Sequence, residues 1–358
     1  MPRTVLLFTI LLSLAVSASA RAQAVVKVDE NTSFKVGTLV QSWAEVSQNP
    51  ARDDYAKNIF LRRARIILGG TIGKQFGFFL DTDVPNLGKS SAGTKTLSQA
   101  VILQDGWFEW KPNDDVTVMG GLFYVPLCRN CAQAAPAHLG LDYGAYSFVQ
   151  NAAMQGNNGR DSGVQVKGYA AGKKLEYRVA VLQGLRDQRA TNGFRVAGRA
   201  QYSFWEADVT PFFYTGTTLG KKKLLVVGGG VDHQDDYNAF AVDVFIDRPA
   251  GPGAITAQAN VITYDGGDFL ATVREQTTWM AETGYYHTAS KLQPFVRVEG
   301  QRFANDLAAL NDQTRIQAGL AYYLRGANAN LKAAYQRIDN TTARDLHSVT
   351  VQFQVFYY

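Results

Sequence analysis

The chain has 358 residues, a formal net charge of +5, 19% charged residues, 33 glycines and 17 tyrosines, and a mean hydropathy of −0.15. The low charge and the glycine and tyrosine content exclude a coiled coil or a helical bundle. Apart from the first 25 residues, the sequence has no apolar run of about 18 residues, which excludes a helical membrane protein. A transmembrane barrel remains open, because its alternating strands average to a neutral hydropathy.

The N-terminus has the order of a secretory signal peptide, with Arg3, an apolar run over residues 5–16 and then small residues. The apolar run is shorter than the about 20 residues that a membrane anchor needs. We therefore expect residues 1–22 to be cleaved as a signal peptide, which leaves residues 23–358 as the mature chain. Loss of Arg3 and Arg21, with no acid in the cleaved segment, lowers the net charge from +5 to +3. The basic balance is therefore no evidence for nucleic-acid binding.

Apolar and polar residues alternate with a period of two from end to end, which indicates strands with one face in an apolar medium. Between residues 314 and 325, for example, Ile316, Leu320 and Tyr322 share one face, which we expect to contact lipid, while Arg315 lies on the other. Such runs predict sixteen strands, near residues 32–46, 57–72, 75–84, 99–111, 115–126, 162–171, 174–183, 193–206, 222–233, 238–248, 254–264, 276–287, 291–302, 312–325, 328–339 and 345–358.

The connections between these runs alternate between short and long. Residues 73–74 and 112–114 form short connections, whereas residues 85–98 and 127–161 form long ones. Outer-membrane barrels have this asymmetry, with tight periplasmic turns at one end and longer loops outside. The stretch 207–222 does not fit the pattern, because it is too long for a periplasmic turn.

Strand length separates a barrel from a secreted sandwich. A sandwich strand has about five or six residues, whereas a membrane-spanning strand needs about 9 to 11, and most of the runs reach the longer figure. An even strand count and an aromatic C-terminal strand favour the same fold. The sequence therefore predicts an all-β protein, a closed antiparallel transmembrane β-barrel over residues 23–358, with sixteen strands and eighteen as the next count.

Cys128 and Cys131 form a Cys-Arg-Asn-Cys motif and are the two cysteines of the chain. A redox motif would stand at a helix start beside a strand–helix–strand unit, and the flanking sequence has neither. A zinc site would need two further ligands, and only His138 is close in sequence. A small disulfide that stiffens a loop is the interpretation that we adopt.

Three ordered motifs resemble those of a known family: Phe60-Leu-Arg-Arg-Ala-Arg65, then Asp105-Gly-Trp-Phe-Glu-Trp-Lys-Pro112 with Gly121-Leu-Phe-Tyr-Val-Pro126, and Gly159-Arg-Asp-Ser-Gly-Val-Gln-Val166. With them, most of the mature chain resembles the phosphate-selective porin O and P family of Gram-negative outer membranes. The resemblance implies a homotrimer of sixteen-stranded barrels, each with a long third extracellular loop folded into the lumen. Residues 127–161, the longest connection, would be this constriction loop.

The resemblance also implies a function, an outer-membrane porin for the passive diffusion of small anions, phosphate or polyphosphate among them. Expected partners are these anions, outer-membrane lipid and lipopolysaccharide, and the barrel-insertion machinery. The C-terminus departs from the usual outer-membrane pattern of a final Phe. It ends Phe356-Tyr-Tyr358, and the apolar set falls on Phe353, Val355 and Tyr357, one residue out of phase.

An aqueous barrel selects ions through fixed charges on its lumen wall. Arginine suits phosphate, because its planar fork donates two parallel hydrogen bonds and stays charged. On the polar strand faces, the candidate pore-lining and anion-guiding residues are Arg63, Arg65, Lys167, Arg178, Arg195, Arg199, Arg297, Arg315 and Lys332. The same faces carry the acids Asp81, Asp105, Glu109, Glu176, Asp243, Asp247 and Glu299.

The spacing of these charges predicts which cations act on anions. Arg63 and Arg65 have no interleaved acid on their strand, so we expect them to contribute most. Arg178 with Glu176, and Arg297 with Glu299, stand two apart on one strand face, where each pair could cancel. The Lys221-Lys222-Lys223 run is most simply a solvated turn.

Two alternatives to an anion-selective porin remain open. A general or weakly selective porin would result if the acids cancel the cations. A structural or adhesive surface barrel would have a lumen plugged by paired charges and bulky side chains. An enzyme is not expected, because the four histidines are scattered and no Gly-x-Ser-x-Gly stands near them. We predict no catalytic residue, no metal site and no cofactor.

Overall fold

The computed structural model describes residues 24–91, 93–304 and 310–358. Sixteen antiparallel strands make up the wall of a barrel. They are β1 (Ser33–Gln48), β2 (Tyr55–Ile72), β3 (Phe76–Asp83), β4 (Ile102–Asn113), β5 (Val116–Tyr124), β6 (Arg160–Ala170), β7 (Leu175–Leu182), β8 (Arg195–Ser203), β9 (Leu224–Gln234), β10 (Tyr237–Ala250), β11 (Gly253–Asp265), β12 (Gln276–His287), β13 (Leu292–Phe303), β14 (Gln313–Tyr323), β15 (Ala329–Asn340) and β16 (Leu346–Tyr357).

The sheet closes on itself. Each strand pairs with the next in sequence, and β16 pairs with β1 in a register that runs from Ser348 opposite Ser47 to Tyr357 opposite Thr38. Closure matters in a bilayer, because lipid offers no hydrogen bonds and every backbone donor and acceptor must be paired within the wall. The predicted closed barrel and its count of sixteen strands are confirmed, and each predicted run overlaps one strand.

Short pieces complete the backbone. Ala24–Lys27 pairs with the first residues of β1, beyond the end of β16. Ser90–Ser91 and Thr94–Lys95 form a small hairpin, and Asn130–Ala132 and Ala135–Ala137 are single 3₁₀ turns. Across the described ranges, no helix is long and apolar enough to cross a membrane. The expected signal peptide lies outside the described residues.

The two faces of the wall differ as the alternation predicts. Ile316 and Leu320 on β14 are 41% and 44% exposed on the outer surface, and Val351 and Phe353 on β16 are exposed as well. The alternate positions point inward and are polar and buried, as Gln352 is. An apolar outer band with a polar interior is the arrangement of an outer-membrane barrel.

The connections place two long segments at opposite ends of the barrel. The loop end carries residues 125–159 between β5 and β6, which we call loop 3. The turn end carries connections of a few residues, such as 251–252, with one exception. That exception is residues 204–223 between β8 and β9, which we call the turn-end segment. It corresponds to the stretch 207–222, which is too long for a periplasmic turn.

Candidate functional site

Loop 3 is held by inward-facing side chains from several sides of the barrel. Lys332 on β15 donates through Nζ to the Gly140 carbonyl at 2.8 Å, and Gln354 on β16 donates to the Pro136 carbonyl at 3.0 Å. Gln133 of the loop donates to Gln258 on β11 at 2.9 Å. Strands far apart in the wall therefore bond to one loop.

Glycines on β9 let loop 3 approach the wall closely. Gly228, Gly229 and Gly230 are consecutive, and Gly228 and Gly230 face inward with the buried Asp232. A Cβ on Gly230 would lie 2.1 Å from the carbonyl oxygen of Leu127, closer than real Cβ contacts allow. The bare backbone at this position therefore fits the start of loop 3 against the wall.

The cysteines lie at the start of loop 3. A disulfide joins Cys128 to Cys131, and both residues are buried. They belong to an apolar cluster that includes Tyr237, Ile262 and Tyr264 from β10 and β11. The pair therefore closes a short turn that packs on the wall. No cluster of metal-ligating side chains is found in the described part of the chain.

A cavity of about 320 Å³ lies between loop 3 and the loop end of the wall. Arg62 and Arg63 of β2 both reach Asp142 of loop 3, Arg62 at 2.7 Å and Arg63 through Nη2. Two consecutive residues can do so because β2 has a bulge opposite Gln41 and Ser42, which breaks the alternation at Arg62. Burial would raise the pKa of the Asp142 carboxyl, but the two guanidinium groups hold it well below its usual value of 3.8.

Two further arginines, Arg65 and Arg160, line the same cavity. Arg65 bonds to Asp81 at 2.8 Å and Asp83 at 3.0 Å, both on β3. Arg160, the first residue of β6, bonds to Asp105 at 2.9 and 2.8 Å, and its guanidinium lies 3.6 Å from the centre of the Tyr124 ring. Both arginines are thus fixed by carboxylates rather than left free in water.

Arg63 and Arg65 were expected to contribute most because no acid is interleaved on their strand, but both are paired with carboxylates, so that reason is wrong. Their partners come from the adjacent strand and from loop 3, which the alternation along β2 does not reveal. The expected pair of Arg178 with Glu176 is present at 2.8 Å. Arg297 differs from expectation, because it bonds to Glu282 on β12 at 2.6 Å rather than to Glu299.

The other candidate cations are also placed on the inner face. Arg195 bonds to Asp232, and Arg199 to Asp243 at 2.6 Å. Lys167 lies 3.6 Å from Glu176. Seven of the nine candidates thus have a carboxylate partner: Arg63, Arg65, Lys167, Arg178, Arg195, Arg199 and Arg297.

Two candidates make no salt bridge within the described residues. Lys332 is 2% exposed and donates to carbonyls of loop 3. Arg315 is half-buried, lines the loop-end cavity and donates to the Tyr146 hydroxyl at 3.0 Å. Arg315 is therefore a cation that faces the cavity and makes no salt bridge in this part of the chain, although Glu299 lies opposite it on β13.

A second, larger cavity of about 680 Å³ opens at the turn end. Lys221, Lys222 and Arg325 line it, and no carboxylate lines it among the residues that the structure describes. The lysine run is thus part of a mouth of the barrel, in addition to being a solvated turn. Its charges are not cancelled locally.

Sequence reasoning missed several charged residues of the interior. Arg62 was hidden by the bulge, and Arg129 and Asp142 by their position in loop 3. Arg160 stands in the Gly159-Arg-Asp motif, so a signal for it was present. The Phe212-Phe213-Tyr214 run in the turn-end segment was a second signal, because an aromatic run is unusual in a solvated turn.

Comparison with solved structures supports the fold. The barrel superimposes on an anion-selective porin from Comamonas acidovorans with a TM-score of 0.61 and 13% identity, over 91% of this chain and 100% of that one. The outer-membrane channel DcaP of Acinetobacter baumannii gives a TM-score of 0.59 and 12% identity, over 93% and 99%.

The in-vitro folded OmpT of Vibrio cholerae, in its trimer form, gives a TM-score of 0.58 and 10% identity, over 92% of this chain and 100% of that one. No curated protein sequence matches the chain. The family of phosphate-selective porins O and P matches residues 34–294, which is most of the chain. The chain therefore belongs to the phosphate-selective porin O and P family and is a multi-pass β-barrel of the outer membrane.

Proposed function

We propose that this porin is a passive channel for small anions, with a modest preference for anions over cations. The observation that carries the proposal is the charge at the two mouths. The loop-end cavity is lined by six arginines, five of which bond to carboxylates while Arg315 makes no salt bridge in the described residues, and the turn-end cavity is lined by three cations. Charge of one sign at an entrance raises the local concentration of the opposite ion. A porin described as anion-selective has the same fold.

Loop 3 is the proposed constriction element, in agreement with its bonds to inward-facing side chains on several strands. Such bonds support a path of the loop across the lumen rather than over its rim. Loop 3 covers residues 125–159, close to the predicted range of 127–161. Its disulfide and the glycine contact on β9 would keep its base fixed while ions pass.

We propose phosphate as one of several anions that the channel conducts. Arginine forks suit its oxygens, but at Arg63 and Arg65 those donors already bond to carboxylates. A divalent anion would have to compete with these groups, and the nearby acids would repel it more than chloride. The nine candidate cations would then act as a field along the wall, with Arg315 as the strongest single contributor.

Assembly and surroundings complete the proposal. A homotrimer is proposed, supported by a structural neighbour described in a trimer form. Outer-membrane lipid and lipopolysaccharide would contact the apolar outer band, and the barrel-insertion machinery would place the chain in the membrane. The family and fold are those of channels rather than enzymes, and we propose that the chain has no catalytic activity.

A plugged structural barrel is the second candidate. It is favoured by the seven ion-paired cations and by the aromatic packing of Phe79, Trp107 and Phe212 inside the wall. A general porin would share the pore but not its selectivity. These alternatives differ in conduction, not in fold.

Planar-bilayer recording tests all three. An anion channel should give stepwise changes of current. In a KCl gradient its reversal potential should be displaced toward the equilibrium potential of chloride. Chloride current should fall when phosphate is added. Steps with a reversal potential near zero would make the protein a general porin. Absence of conductance from trimers that reconstitute correctly would overturn the channel and favour the plug.

A further inference from the structure

The turn-end segment 204–223 bonds to the inner face of the wall at several points. Lys167 donates through Nζ to the carbonyls of Thr210 and Pro211, the latter at 3.0 Å. Arg178 donates through Nη2 to the Phe212 carbonyl at 2.8 Å. Both donors are buried on inward-facing positions. A segment that accepts bonds from these side chains lies inside the wall.

The turn-end segment meets loop 3 there. Ala134 donates its backbone N–H to the Tyr214 carbonyl at 2.9 Å, and Tyr214 donates to the Ala132 carbonyl at 3.0 Å. Arg129 of loop 3 bonds to Asp208 at 2.8 Å, and both side chains are buried. Two connections that start at opposite ends of the barrel are therefore joined in its interior.

Three cavities follow one another past this junction. The loop-end and turn-end cavities are separated by a small one of about 90 Å³. The small cavity shares Arg65 and Arg160 with the loop-end cavity and Pro136 and Phe213 with the turn-end cavity. Shared lining residues place the three cavities in series through the barrel.

Five aromatic side chains line the small cavity, together with aliphatic residues and the charged Arg65, Asp81 and Arg160. The Phe213 ring lies 5.6 Å from Phe79 and 5.7 Å from Tyr124, and Tyr358 lies 5.6 Å from Phe79. Tyr358 reaches this position because Phe356 and Tyr358 point inward, whereas Val355 points to lipid. This alternation is the one that places the C-terminal apolar residues out of phase with the usual outer-membrane pattern. The space holds a few waters, too few for the full hydration shell of an ion.

We infer that Phe213 is the residue that sets the size limit of the pore, and that the turn-end segment is a second constriction element beside loop 3. This inference rests on the proposed channel function. An ion that leaves the loop-end arginines must pass the aromatic neck of Phe79, Phe213 and Tyr358 before it reaches the cations of the turn end. An apolar constriction limits conduction by excluding water, so the neck favours small and weakly hydrated anions.

Substitution of Phe213 tests the inference in two directions. Phe213→Ala should raise the single-channel conductance severalfold and raise the permeability of gluconate relative to chloride. Phe213→Trp should lower both. The matched control is Phe204→Ala, which removes the same side chain from the same segment at an exposed position. It should leave both quantities unchanged.

The outcomes separate this inference from the channel function. If the wild-type protein gives no current steps, and Phe213→Ala gives none, the channel function itself is wrong. If the wild-type protein conducts, and both Phe213 variants match it in conductance and in the gluconate-to-chloride ratio, Phe213 does not limit the pore. Because the two variants change conductance in opposite directions, failure of one to fold leaves the other as a decisive test.

Discussion

Arg129 of loop 3 and Asp208 of the turn-end segment form a buried ion pair between connections that start at opposite ends of the barrel. The Nη1 to Oδ2 distance is 2.8 Å, and the exposed fractions of the two side chains are 1% and 0%. The Arg129 guanidinium also lies 3.9 Å from the centre of the Phe245 ring. The pair fixes loop 3 relative to the turn-end segment, so it couples the two proposed constrictions.

Removal of this pair's acid should destabilise the barrel. Asp208→Asn leaves a buried guanidinium without its counter-charge, which typically costs about 3 to 5 kcal/mol. We expect a lower thermal unfolding temperature in detergent and noisier current steps. Arg337→Gln is the control, because the pair of Arg337 with Asp339 lies on the exposed surface. Its loss should have little effect on the unfolding temperature. An unfolding temperature equal to that of the wild type would contradict this role.

The close approach at β9 gives a second prediction. Gly230→Ala places a methyl group against the Leu127 carbonyl, 2.1 Å away before relaxation. Overpacking of this kind costs about 1 to 3 kcal/mol and should displace the base of loop 3. We expect reduced stability together with an altered single-channel conductance. Gly198→Ala on the adjacent strand has 3.5 Å to its nearest neighbour and should change neither.

The wall of the barrel was predictable because its faces repeat with the period of a strand. Ile316 and Leu320 on the lipid side follow from alternation alone, since successive side chains point to opposite faces. Closure also follows, because a membrane strand cannot leave its hydrogen bonds unpaired. No long-range information was needed for either.

The pairing of charges was not predictable in this way. Alternation tells which face Arg65 occupies, but its partner Asp81 comes from the register with β3. The partner of Arg63 comes from loop 3, whose path follows no period. The bulge at Arg62 breaks the alternation itself. The length of the segment 204–223 was visible in the sequence, but its contacts with loop 3 depend on the closed barrel.

Selectivity should depend on Arg315 more than on paired cations. Arg315→Gln removes a charge that makes no salt bridge in the described residues, so the reversal potential in a KCl gradient should move toward cation preference. Arg199→Gln combined with Asp243→Asn removes a buried pair of zero net charge and should leave the reversal potential unchanged. Unpaired charge acts over roughly a Debye length, about 8 Å at physiological salt, whereas paired charge cancels at short range. Equal shifts in the two variants would refute this ranking.

Asp142 should limit anion preference over a wide pH range. Asp142→Asn removes one negative charge from the loop-end cavity and frees two arginine forks, so the reversal potential should move further toward anions and phosphate should block chloride current more strongly. The pKa of Asp142 is held well below 3.8, so the group stays ionised in mild acid. A carboxylate with a depressed pKa stabilises the fold above its unfolded pKa and loses that effect only as pH falls through its folded pKa. The difference between wild type and variant should therefore be the same at pH 7 and pH 3, where a carboxyl with the usual pKa of 3.8 is mostly protonated. A difference that is lost at pH 3 would mean that Asp142 has a normal pKa and lacks the two guanidinium partners.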